Sequence, residues 1–115
     1  MAQKEIFNRS TLLLGREGMK ALDEARVILF GVGGVGSWCA EGLVRAGLTH
    51  LTLVDSDRVC PTNLNRQLMA TQETIGQPKV EAMKQRLLSI NPEAEILALN
   101  MMYTEETAPD FHLEQ

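Results

Sequence analysis

The chain reads as an α/β protein built on a parallel sheet, because three short apolar runs alternate with two stretches of helical spacing. The runs occupy residues 27–30, 51–54 and 96–99, and a glycine-rich hexapeptide, Gly31-Val32-Gly33-Gly34-Val35-Gly36, follows the first of them directly. Continuous apolar runs of this length suit parallel strands buried on both faces, and a strand, glycine turn and helix in that order open a βαβ unit. The expectation is a Rossmann-like three-layer fold with about three strands present.

At the N-terminus, residues 10–14 and 17–24 predict two short helices broken at Gly15, with Leu12, Leu13, Leu14, Met19 and Leu22 on an apolar face. After the first strand, residues 35–46 predict a helix that Gly47 stops. The second strand ends at Asp55, and a long polar connection covers residues 56–77. Pro78 suits the first turn of the next helix, Val80, Met83, Leu87 and Ile90 recur at helical spacing, and Asn91-Pro92 ends it. Residues 100–115 offer neither a fourth strand nor an apolar partner for another helix, so the chain is expected to be the N-terminal piece of a longer protein. It divides into a helical segment, 1–25, and a nucleotide-binding part, 26–115.

With 115 residues, 44% hydrophobic and 23% charged, the composition is that of an ordinary globular domain. The net charge of −4 argues against binding nucleic acid through general electrostatics, which needs clustered surplus cations, although a local basic pocket stays possible. No stretch approaches the roughly 18 consecutive apolar residues of a membrane span, and the start lacks the apolar core of a signal peptide. A cytoplasmic protein with no membrane partner is expected. Cys39 and Cys60 are too few for a disulfide framework, and with only His50 and His112 to add, no zinc site is expected.

The chemistry begins at the glycines. Of the glycines in Gly31-Val32-Gly33-Gly34-Val35-Gly36, one allows the tight turn out of the strand, one lets backbone approach phosphate and one lets the helix pack closely on the sheet. An anion then rests on the unpaired N–H groups and positive dipole end of the helix. Asp55, about 20 residues further on, is placed for a ribose hydroxyl. The same turn serves a dinucleotide or a nucleoside triphosphate. The next segment, with Asp57, Asn63, Asn65, Arg66, Gln67 and then Lys79 after Gly76-Gln77-Pro78, separates them. A triphosphate losing pyrophosphate carries about four negative charges and calls for guanidinium and ammonium groups; hydride transfer needs far less. An NAD-dependent oxidoreductase domain remains the rival from another class.

Together the glycines, Asp55-x-Asp57, Asn63-x-Asn65-Arg66-Gln67 and Gly76-Gln77-Pro78-Lys79 resemble the superfamily of ATP-dependent adenylating enzymes that includes ThiF, MoeB and the ubiquitin-activating enzymes. The match covers nearly the whole chain. It implies that ATP sits on the glycine loop, that Asp55 binds ribose with Asp57 in support, and that Arg66 and Lys79 hold phosphates. Asn63 and Gln67 match further polar positions around the phosphates, and Asn65 a position that is Gln or Asn among relatives. Asn8-Arg9 with Leu12 and Leu14-Gly15 is similar to the segment through which a homodimer extends an arginine, here Arg9, into the neighbouring ATP site.

Within that superfamily, Gly36-Ser37-Trp38, Ala40-Glu41, Arg45-x-Gly47, Val59-Cys60-x-Thr62-Asn63 and Ile90-Asn91-Pro92-Glu93 are most similar to the branch that dehydrates threonylcarbamoyladenosine in tRNA. That implies a ligase-type adenylation of the nucleoside's carboxylate followed by cyclisation, with tRNA as substrate. The alternative within the family is the C-terminus of a ubiquitin-like sulfur carrier protein. Mg²⁺ would bridge the phosphates, and its main aspartate is expected in a segment beyond Gln115, so this length of chain alone is expected to be inactive. Trp38 reads as packing rather than catalytic, an aromatic that could line the site or, more commonly, fill an interface, and His50 and His112 read as structural. Cys60 reads as an ordinary thiol, and Met69, Met83, Met101 and Met102 as core filler.

Overall fold

A computed structural model describes residues 17–102. The order is a helix over residues 17–24 (α1), strand Arg26–Phe30 (β1), helix Gly34–Ala46 (α2), strand His50–Val54 (β2), a 3-10 turn Pro61–Asn65, helix Lys79–Ile90 (α3) and strand Glu95–Leu99 (β3). The strands pair in parallel in the order β1-β2-β3, in registers that align Val27 with Leu51 and Ile96, and Leu29 with Leu53 and Ala98. The α/β architecture with three parallel strands is the expected one. The first predicted helix, residues 10–14, lies outside the described residues.

Side chains alternate across a strand, so these two aligned rows share one face of the sheet. That face packs on Ala40 and Val44 of α2 and on Val80, Met83 and Leu87 of α3 in a single core cluster. Two successive right-handed crossovers in the same direction put both helices on the same side. The opposite face carries the rows Arg26, His50, Glu95 and Ile28, Thr52, Leu97, and there Leu97 is 54% exposed. Burial on both faces, expected from the apolar runs, is therefore corrected. Among the described residues the helix-covered face carries the core cluster, the opposite face is buried at Val54 but open at Leu97, and β1, at the edge of the sheet, is half-buried.

Local chemistry explains the ends of the elements. Gly47 adopts φ +128° after α2, its N–H reaching the carbonyls of Leu43 and Val44 at 3.2 Å, while Leu48 N–H donates to Leu43 O at 2.9 Å. A Cβ at Gly47 would also lie 2.8 Å from Met19 Cε, which places α1 against the end of α2. Pro78 stands at the N-cap of α3 rather than within its first turn, since its φ of −56° leads into the helix while its ψ stays extended. The connection 56–77 is not simply polar: Val59 and Met69 are buried, and Arg58 bridges to Pro78. Met83 is core as well, whereas Met102 is exposed, because it lies beyond the end of β3.

The helices are cross-linked by a buried carboxylate. Glu41 of α2 accepts from Arg45 Nε at 3.1 Å and from Arg86 Nε of α3. The Arg86 hydrogen bond, reinforced by Arg45, outweighs desolvation and holds the Glu41 carboxyl below the usual range. A carboxylate whose pKa is depressed on folding adds stability above its unfolded value, lost as pH falls through the folded one. Glu41→Gln is expected to lower stability by about 1.5–3 kcal/mol at neutral pH. In thermal melts this deficit should shrink as the pH falls below the ordinary carboxylate range, where the native carboxylate also protonates.

Candidate functional site

The glycine loop leaves β1 by a left-handed turn. Gly31, at φ +91°, donates its N–H to Val54 O at 2.8 Å, which extends the β1-β2 ladder by one residue before the chain turns away. A Cβ at Gly36 would stand 2.1 Å from Gly31 O, so α2 starts pressed against the turn. At Gly33 a Cβ would meet the amide of Gln67 at 3.9 Å, and at Gly34 the stem of Arg66 at 3.7 Å. The four glycines thus divide by role: Gly31 and Gly36 shape the turn, while Gly33 and Gly34 are the ones Gln67 and Arg66 close over.

Asp55 locks this loop from β2. Its Oδ2 accepts the N–H of buried Val32 at 2.8 Å and its Oδ1 the N–H of Asp57 at 2.8 Å. Asp57 in turn accepts Lys79 N–H on its backbone oxygen at 3.0 Å, and its carboxylate lies 3.9 Å from Lys79 Nζ. The Lys79 side chain is only 9% exposed, and the largely exposed Asp57 is its sole ion-pair partner among the described residues. A buried ammonium so loosely compensated is costly, which is the arrangement of a site that completes itself with an anion.

Arg66 arrives from the other side. Its stem crosses Gly34, and its Nη1 donates to Thr62 O and Asn65 Oδ1, both at 3.0 Å. Asn65 therefore meets the site through Arg66. Asn63 is buried and closes the 3-10 turn, its Oδ1 accepting Cys60 N–H at 2.8 Å. Gln67 is buried with its amide toward Gly33, and its Oε1 has no hydrogen-bond partner among the described residues. The structure thus gathers Gly31, Gly33, Gly34, Gly36, Asp55, Asp57, Arg66, Gln67 and Lys79 around one loop. Arg9 lies outside the described residues.

Two positioning residues were not legible in the sequence. Buried Ser37 donates to Gly34 O at 3.1 Å and accepts Leu68 N–H at 3.2 Å. Trp38 donates from Nε1 to Arg66 O at 3.1 Å. Together they dock the Arg66 segment on the start of α2 across about 30 residues of sequence. The sequence carried no signal for these bonds beyond their position just after the glycines. Trp38, read as packing, is instead 61% exposed, because α2 turns its first-turn outer side away from the sheet.

His50 pairs with Glu95 at 3.2 Å and contacts Thr49, a structural role. His112 lies outside the described residues. Cys39 and Cys60 are free thiols. Among the described residues no group of three or more His, Cys, Asp or Glu could hold a metal ion, and no helix is long and apolar enough to cross a membrane.

The model of the ThiF family matches residues 7–114. The chain belongs to the ThiF family. It is 52% identical over 105 residues to a tRNA threonylcarbamoyladenosine dehydratase of Bacillus subtilis, a match that covers 91% of this chain and 41% of that protein. It is 36% identical over 106 residues to the sulfur carrier protein ThiS adenylyltransferase of Escherichia coli, covering 90% of this chain and 42% of that one. Among solved ThiF-family structures, the E. coli tRNA N6-threonylcarbamoyladenosine dehydratase in complex with ATP superimposes with a TM-score of 0.93 at 35% identity, over 96% of this chain and 45% of that one. The chain thus spans less than half the length of these relatives.

Proposed function

We propose that this chain is the ATP-binding part of an adenylating enzyme, and that the carboxylate it activates is that of threonylcarbamoyladenosine in tRNA. The observation that carries the ATP assignment is Lys79, a buried cation whose sole ion-pair partner among the described residues is the exposed Asp57, linked through Asp57 and Asp55 to a glycine loop over which Arg66 and Gln67 lie. The 52% identity to the Bacillus dehydratase supports the choice of carboxylate.

In this reading the triphosphate lies across Gly33 and Gly34, Asp55 faces the ribose, and Arg66 and Lys79 take the charge that gathers on the phosphates. Asp57, Asn63, Asn65 and Gln67 shape the surroundings. A carboxylate oxygen attacks the α-phosphorus, and the bond to the β-phosphate oxygen breaks as pyrophosphate leaves with the electron pair. A nitrogen of the same side chain then closes on the activated acyl carbon and AMP departs. The carboxylate is already ionised at neutral pH, so catalysis is positioning and charge neutralisation rather than base chemistry. Mg²⁺ would arrive with the nucleotide; the described residues assemble no cage for it, and no step is derived through it.

A second copy of the chain, contributing Arg9, and a cytoplasmic setting complete the proposal. Similarity to the ThiS adenylyltransferase supports a second reading, in which the carboxylate is the C-terminus of a ubiquitin-like sulfur carrier protein. Titration with Mg-ATP tests the common ground. Arg66→Ala is expected to weaken binding roughly 10-fold or more, the scale of one charge-assisted hydrogen bond, without shifting the melting temperature appreciably. Unchanged affinity, or preferential binding of NADH, would overturn the assignment. In the full-length protein, ATP-pyrophosphate exchange driven by modified tRNA, but not by a sulfur carrier protein, would separate the two substrates.

A further inference from the structure

Trp38, the single tryptophan of the chain, stands 61% exposed beside the glycine loop, and its neighbour Val35 is 87% exposed. These residues, with Gly34, Cys39 and Arg66, line a shallow open depression. Gly34 and Arg66 belong also to the phosphate cradle, so whatever occupies the depression lies next to the triphosphate. The ring's one polar atom is already used, because Nε1 donates to Arg66 O. That bond fixes the indole and leaves its flat apolar surface as the group on offer. A rigid π surface beside a guanidinium is what an unstacked nucleobase seeks, and single-stranded RNA is read by such stacking.

We infer that the exposed face of Trp38, bordered by Val35 and Arg66, is a stacking platform for an unpaired base of the RNA that carries the carboxylate. This rests on the tRNA reading above and adds how that substrate is held: a base on Trp38 brings the attached carboxylate toward the phosphates over Gly34.

The lone tryptophan reports its own occupancy. Titrating the chain with a synthetic RNA stem-loop that bears threonylcarbamoyladenosine at an unpaired position is expected to quench its fluorescence, whereas a fully paired RNA duplex leaves it unchanged. By direct binding, Trp38→Leu should hold the stem-loop roughly 5- to 100-fold more weakly, while Trp38→Phe, which keeps a π face but loses the bond to Arg66, stays close to the parent. Equal losses in the Leu and Phe variants would mean the indole acts only through Arg66, and would overturn the inference. So would absence of quenching, or a fluorescence change that follows protein concentration without RNA, the sign of a second copy covering the ring. Mg-ATP titration of the parent chain keeps the two levels apart. Stem-loop binding by the parent without quenching rejects the platform alone, absence of stem-loop binding alongside nucleotide binding rejects the tRNA reading it rests on, and no nucleotide binding rejects the ATP site beneath both.

Discussion

Gly36→Ala is expected to lower the melting temperature by roughly 10 °C or more, a loss on the order of 3 kcal/mol for a domain of this size. The added Cβ would sit 2.1 Å from the carbonyl oxygen of Gly31, a backbone atom that no side-chain rotation can move aside. Relief would require α2 to shift from the turn. That shift would pull on the Gly31 bond to Val54 and on the Ser37 bond to Leu68, so nucleotide affinity should fall with stability. Gly42 is the internal control. It lies in the same helix with nothing within 4 Å of its Cβ position, so Gly42→Ala should be neutral or stabilise by about 0.4–1 kcal/mol. Circular-dichroism melts of both variants decide the matter, and a Gly36→Ala protein melting within about 2 °C of the parent would show that the turn is not packed as described.

Lys79→Met should separate binding from folding in the opposite sense. Methionine keeps most of the stem that α3 and its neighbours bury and removes the charge. Among the described residues the ion pair lost is the 3.9 Å approach to Asp57, a largely exposed carboxylate, so little stability goes with it. A nucleotide phosphate, by contrast, would lose a charge-assisted contact in a buried setting. Mg-ATP affinity is expected to drop about 10- to 100-fold while the melting temperature stays the same or rises slightly. Calorimetric titration and thermal melting on the same preparation make the comparison. Parental affinity in a well-folded variant would show that Lys79 is a structural cation, and the proposed phosphate site would lose its central group.

Why Arg66 and Lys79 could be singled out from the sequence while Ser37 and Trp38 could not is a matter of what a sequence encodes locally. The glycine turn follows a covalent path, strand to turn to helix, that the chain traces in order, and Arg66 and Lys79, far beyond it in sequence, were singled out by the resemblance of their motifs to an adenylating family. The bonds from Ser37 to Leu68 and from Trp38 to Arg66 join segments about 30 residues apart, and no periodicity marks them. Asn63 illustrates the converse. Its neighbourhood resembled a phosphate-contacting segment, yet the fold commits its carbonyl oxygen to the Cys60 N–H and its bulk to the core. The cross-link from Glu41 to Arg45 was open to an i,i+4 reading, but the stronger tie, to Arg86, exists only because α2 and α3 share one face of the sheet.

What the amino-acid order determined by itself was the sequence of elements and the kind of loop between the first two. Apolar runs, helical spacing, the stop at Gly47 and the φ freedom of Gly31 act within a few residues, where covalent geometry leaves few choices. Only the tertiary structure decided which face of each strand is covered. It also decided that Lys79 is buried with a distant partner and that the indole of Trp38 stands open to solvent beside the cradle. Burial and charge compensation are sums over neighbours brought in by the crossovers. The same lysine or tryptophan, at the same place in the chain, takes its physical character from residues that sequence spacing alone does not bring near.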